Sequence, residues 1–116
     1  MSPDVGLLVG RLRYNLTTMN LSVIIPVYNE VNHIHEIIKR VQATKLAAEI
    51  VIVDDGSKDG TREALKEMDG KKEVRVILHE KNQGKGGAVV TGMKAATGDI
   101  LLIQDEDTMT LEFGNG

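Results

Sequence analysis

The sequence contains no cysteine, no tryptophan and only 2 Pro in 116 residues. Without thiols there can be no disulfide, thiolate metal site or cysteine nucleophile, and such a composition suits a reducing compartment. Aromatic residues make up 3% of the chain, too few for the stacking platforms that single-stranded nucleic acid requires. A basic surplus is also missing: 14 Lys and Arg against 17 Asp and Glu leave a formal net charge of −3. No nucleic-acid partner is therefore expected. No apolar run approaches the ~20 residues of a membrane-spanning helix. What is present is a 41% hydrophobic, 27% charged chain of a length that suits one globular domain.

Residues 1–18 differ from the rest. An apolar patch, Val5 to Val9, precedes Arg11 and Arg13, the reverse of the order in a secretory signal. This segment reads as a disordered leader or a mis-called start, with Met19 as the natural first residue. The sequon Asn15-Leu16-Thr17 is a chance triplet in that context.

From Leu21 the patterning is regular. Leu21 to Ile25, Ile50 to Val53, Val74 to Leu78 and Ile100 to Ile103 are short, continuous apolar runs that read as buried strands. Between them lie helical stripes: Val31, Ile34, Ile37, Ile38 and Val41, then Ala64, Leu65 and Met68 behind a cap at Asp59. A third stripe, Ala88, Val89, Gly92, Met93 and Ala96, follows a glycine-rich loop over residues 82–87. Strands alternating with helices predict an α/β fold with a mostly parallel sheet. Residues 108–116 show no strong period, so the sheet is expected to stop after Asp107, leaving the strand at Ile100 without a neighbour, as in a truncated domain.

Ligands of open α/β sheets bind at the carboxyl ends of the strands. Three of the four predicted strand ends carry polar clusters: Pro26-Val27-Tyr28-Asn29-Glu30, Asp54-Asp55-Gly56-Ser57 and Asp105-Glu106-Asp107. Asp105 and Asp107, one residue apart, can both offer oxygen to a hard divalent cation that shares its shell with phosphates. Asp54 and Asp55 point to opposite sides, so one can meet a ligand while the other holds the turn. A carboxylate there suits the ring N–H of uracil or guanine. Tyr28 offers a flat face to a base, and Glu30 can accept from ribose hydroxyls. Taken singly, each has a plainer reading: a solvated acidic turn, an Asx turn, a half-buried tyrosine, a first-turn acid. It is their gathering on one rim that favours a binding site. Gly84-Lys85-Gly86 is compatible with a phosphate contact or with a flexible turn, but it fails the Walker A pattern because Gly86 stands where Ser or Thr is required. His33, His35 and His79 form no metal constellation and receive no role.

In order, Val23-Ile24-Ile25-Pro26-Val27-Tyr28-Asn29-Glu30, Ile52-Val53-Asp54-Asp55-Gly56-Ser57-Lys58-Asp59-Gly60-Thr61, Asn82-Gln83-Gly84-Lys85-Gly86 and Asp105-Glu106-Asp107 resemble the family 2 glycosyltransferases. The nearest subgroup is the polyprenyl (dolichyl) phosphate mannosyl- and glucosyltransferase-like enzymes. The resemblance covers Leu21 to Asp107, within a nucleotide-sugar-binding part taken as residues 19–107. It implies a Rossmann-like sheet of the glycosyltransferase A type, truncated after the D-x-D, and a nucleotide-diphosphate sugar such as GDP-mannose or UDP-glucose bound with Mg²⁺ or Mn²⁺. Carried over by position, Pro26, Tyr28, Glu30, Val53 and Asp55 would hold the nucleoside. Asp105, Glu106 and Asp107 would line the sugar diphosphate, with the metal at Asp105 and Asp107. The implied acceptor is a lipid phosphate, at the cytoplasmic face of a membrane that the full-length enzyme touches peripherally. The family's acceptor-side motifs, which carry any catalytic base, have no counterpart here. A non-catalytic nucleotide-binding module is the alternative. A receiver domain is a poorer match, because its acidic pair follows the first strand and here the pair follows the second.

Overall fold

The computed structural model describes residues 20–104 and 109–113. Strands β1 (Leu21–Val27), β2 (Ala47–Asp54), β3 (Val74–Leu78), β4 (Ile100–Gln104) and β5 (Met109–Phe113) form one sheet in the order β3-β2-β1-β4-β5. The first four are parallel. Helices α1 (Ile34–Thr44), α2 (Thr61–Met68) and α3 (Gly84–Ala95) connect them.

Burial explains the layering. Alternate side chains of a strand face opposite sides of a sheet, and both sides of β1 and β2 are apolar. Val23, Ile25, Val27, Ile50 and Ile52 pack with Ile34, Ile38 and Val41 of α1 and Leu65 of α2. On the other side Ile24, Val51, Val53 and Leu101 pack with Ala88 of α3. Helices on both faces account for the unbroken apolar strands.

The chain runs outward from β1 through β2 to β3, then returns past β1 to place β4 on its other side. The strand order therefore reverses between β1 and β4, the position where such sheets open a ligand crevice. Pro26 lies within β1, opposite Val53 of β2. The Val27 carbonyl accepts from the Asp55 N–H on the β2 side, so the alternation of the backbone turns Pro26 toward β4. Pairing of β1 with β4 ends at Ile24 and Ile103. The missing N–H of Pro26 thus interrupts no ladder.

Three expectations are corrected. The sheet does not stop at β4: β5 pairs antiparallel with it, Gln104 opposite Met109 and Ile100 opposite Phe113. Met109, Leu111 and Phe113 alternate with Thr110 and Glu112, a two-residue period of the kind found in antiparallel strands. Second, Gly84 to Gly87 is the first turn of α3 rather than a loop before it. Third, the packing face of α3 is Ala88 and Gly92, flanked by Ala95, whereas Met93 is exposed. Residues 1–18, expected to be a leader, lie outside the described residues.

Candidate nucleotide-sugar site

The loops after β1 and β2 hold each other. The Asn29 N–H donates to Ser57 Oγ at 2.8 Å, and the Lys58 N–H returns a bond to Asn29 Oδ1 at 2.9 Å. The Glu30 N–H donates to Thr61 Oγ1 at 2.9 Å, and the Val31 N–H to Asp59 Oδ2 at 3.2 Å. Asp59, expected as the cap of α2, sits one residue before the Gly60 N-cap and accepts from the Thr61 N–H and hydroxyl. Asn29 adopts the left-handed conformation (φ 52°) that Asn tolerates better than most residues. This clamp sets Tyr28 and Glu30 at the rim, with Tyr28 47% exposed.

The two aspartates at the end of β2 divide as their alternation requires. Asp54, wholly buried, holds the turn: its Oδ2 accepts from the Gly56 and Ser57 N–H groups at 3.1 and 3.0 Å and from Arg62 Nη1 at 3.2 Å. Arg62 also donates to the His79 carbonyl at 2.6 Å. Gly56 is positive in φ and lies against the Asn82 backbone, where a side chain would not fit easily. Asp55 turns toward the crevice, and its Oδ1 accepts from the Gln83 N–H at 2.8 Å and from His79 Nδ1 at 2.9 Å.

A cavity of about 240 Å³ opens at the strand-order reversal, lined by Pro26, Tyr28, Glu30 and Asp55 with Asn82, Gly84 and Lys85 among its other walls. Four of the five residues expected at the nucleoside thus line one cavity. Val53 does not: it is fully buried in the core beneath α3. Asp105, Glu106 and Asp107 lie outside the described residues. They follow Gln104 in sequence, and Ile103 is level with Ile24, so β4 ends on the same edge as Pro26. Among the described residues no group of three or more His, Asp or Glu side chains could hold a metal.

Sequence reasoning missed His79, Arg62 and Thr91. His79 carries no signal in the sequence: it neighbours Asp55 because the parallel register sets Asp54 opposite Leu78. Arg62 and Thr91 reach their partners only through helix placement.

The model of glycosyl transferase family 2 matches residues 22–111. The chain belongs to this family. It is 42% identical over 91 residues to a dolichol-phosphate mannosyltransferase of Pyrococcus furiosus, covering 77% of this chain and 26% of that protein. It is 42% identical over 94 residues to an undecaprenyl-phosphate 4-deoxy-4-formamido-L-arabinose transferase of Pseudomonas aeruginosa, covering 75% and 27%. The chain therefore spans about a quarter of the length of these curated relatives. Among solved structures, a mannosyltransferase from Pyrobaculum calidifontis in complex with GDP-Man and Mn²⁺ superposes with a TM-score of 0.69 at 30% identity, over 77% of this chain and 28% of that one. S. aureus TarS in complex with UDP gives 0.68 at 31%, over 77% and 28%. The α/β fold expected from the resemblance is shared with these two structures. No helix among the described residues is long and apolar enough to cross a membrane.

Proposed function

We propose that this chain provides the nucleotide-sugar site of a glycosyltransferase that moves a sugar from a nucleoside diphosphate to a polyprenyl phosphate. The observation that carries this reading is the convergence of Pro26, Tyr28, Glu30 and Asp55 on one cavity at the strand-order reversal. Tyr28 supplies the face on which a base stacks, Asp55 accepts its ring N–H, and Glu30 accepts from the ribose hydroxyls. The first turn of α3 brings Lys85 and the positive end of the helix dipole to the same cavity, a setting suited to a diphosphate.

Beyond Gln104, Asp105 and Asp107 would hold Mg²⁺ or Mn²⁺, and Glu106 would line the sugar diphosphate. Two carboxylates one residue apart fit a hard cation, which would supply neutralisation of the charge on the departing diphosphate. The chain's own residues bind and orient the donor so that the anomeric carbon faces the acceptor. The names of the relatives support a polyprenyl-phosphate acceptor, which this reading has the chain meet at the cytoplasmic face of a membrane. No residue here is assigned as a catalytic base.

Calorimetry with GDP- and UDP-sugars, with and without Mn²⁺, tests the site. Metal-dependent binding of one of them is expected, and binding of neither would sink the proposal. Transfer of radiolabelled sugar to a polyprenyl phosphate separates an enzyme from a binding-only module.

A further inference from the structure

His79, only 6% exposed, stands just past β3 and is used by none of the roles above. Both of its ring nitrogens are held. Nδ1 lies 2.9 Å from Asp55 Oδ1, and Nε2 lies 2.8 Å from Thr91 Oγ1 on α3. The main chain is fixed as well, its N–H donating to the Asp54 carbonyl at 2.9 Å and its carbonyl accepting from Arg62. An ionised carboxylate can only accept, so Nδ1 carries the proton in this pair. The Gln83 N–H donates to that same Oδ1 at 2.8 Å. Oδ1 therefore has both of its lone-pair sites engaged, while Oδ2 has no partner among the described residues, in a side chain that lines the cavity.

We infer that His79 is a positioning residue that spends one oxygen of Asp55 and reserves the other for the base, so that the site reads a single ring N–H and favours uracil over guanine. The inference rests on the nucleoside reading of the cavity. Uracil presents one donor, N3–H, between two carbonyls, and one free oxygen satisfies it. Guanine presents N1–H and an amino N–H side by side, a pair that needs both carboxylate oxygens. With Oδ1 engaged on the protein side, one guanine donor would be buried without its partner. A hydrogen bond to a charged group corresponds to about a ten-fold preference or more. Thr91 braces the far side of the imidazole and keeps the ring from turning away.

The test uses the whole chain with Mn²⁺ and three probes: UDP, GDP and pyrophosphate. UDP should bind at least about ten-fold more tightly than GDP. His79→Gln, whose amide cannot take the Nδ1 position, should lose about ten-fold for UDP, with pyrophosphate affinity unchanged. His79→Asn, whose amide nitrogen falls near Nδ1, should restore most of the loss. Long-range ¹H–¹⁵N spectra should show His79 protonated at Nδ1. Should His79→Gln fail to fold, Thr91→Val releases the ring from its other side and should weaken UDP without weakening pyrophosphate. GDP bound as tightly as UDP, a histidine or threonine variant that binds UDP like the parent, or a bare Nδ1 would each overturn the inference while leaving the site reading intact. A parent that binds neither nucleotide would instead overturn the site reading and this inference with it.

Discussion

Gly92 of α3 faces Ile24 of β1 so closely that a Cβ on the glycine would run into Ile24 Cγ2. Ile24 is wholly buried in a central strand and has no room to retreat. This approach seats α3 on the sheet and brings its first turn, with Gly84 and Lys85, to the cavity.

Gly92→Ala should therefore destabilise the protein. Overpacking a close-packed core costs ~1–3 kcal/mol, more than the ~1 kcal/mol that alanine gains in helix propensity. Thermal unfolding should show a lower Tm together with weaker nucleotide binding. A Tm equal to or above that of the parent would show that α3 can shift at no cost.

Glu49 of β2 is a second structural anchor. Burial alone would raise its pKa, but bonds from the Thr97 N–H, the Ser22 and Thr97 hydroxyls and Arg75 outweigh that and hold it below its ordinary 4.5. A carboxylate depressed by folding adds stability that is complete above the unfolded-state value and fades as pH falls through the folded-state value. Glu49→Gln should lose about 1–3 kcal/mol at neutral pH. The gap between parent and variant should close below about pH 4.5. Denaturant melts from neutral pH downward check this, and a gap that stays constant to pH 3 would contradict the depressed pKa.

Asp55→Ala should remove the carboxylate assigned to the base and weaken UDP or GDP binding by ~1.5–3 kcal/mol. Pyrophosphate with Mn²⁺ should still bind, because that end of the ligand is held elsewhere. Unchanged affinity for both nucleotides would reassign Asp55 to a purely structural role beside His79.

Asp107→Asn should make nucleotide-diphosphate binding insensitive to Mn²⁺, since one anionic oxygen leaves the cation's shell. Asp105→Asn should act in the same way. Calorimetric titration at several Mn²⁺ concentrations reads this directly. Full metal dependence in either variant would make the pair a solvated turn.

Much of this molecule follows from local pattern. A run such as Ile50 to Val53 suits a strand covered on both sides, and its alternation with stripes such as Ile34, Ile38, Val41 points to a parallel sheet with helices on its faces, so element order and fold class are legible residue by residue. The division of labour between Asp54 and Asp55 also follows, because alternation along a strand obliges neighbours to face apart. Other features depend on distances between elements far apart in the chain. The glycines at 84–87 read as a loop by intrinsic preference, yet they form the first turn of α3, which packs on the sheet through Ala88 and the close seat of Gly92 on Ile24. The alternation of Met109 to Phe113 is too short to identify a strand until β4 offers it an unpaired edge. Val53 is expected at the nucleoside from the resemblance, but pairing with Pro26 on one side and Ile77 on the other places it in the core instead of the cavity wall. His79 lies 24 residues from Asp55, and no periodicity relates them. Only the parallel register of β2 and β3, together with the packing of Thr91 from α3, brings that ring against the carboxylate, because hydrogen bonding acts over about 3 Å of space and not along the chain.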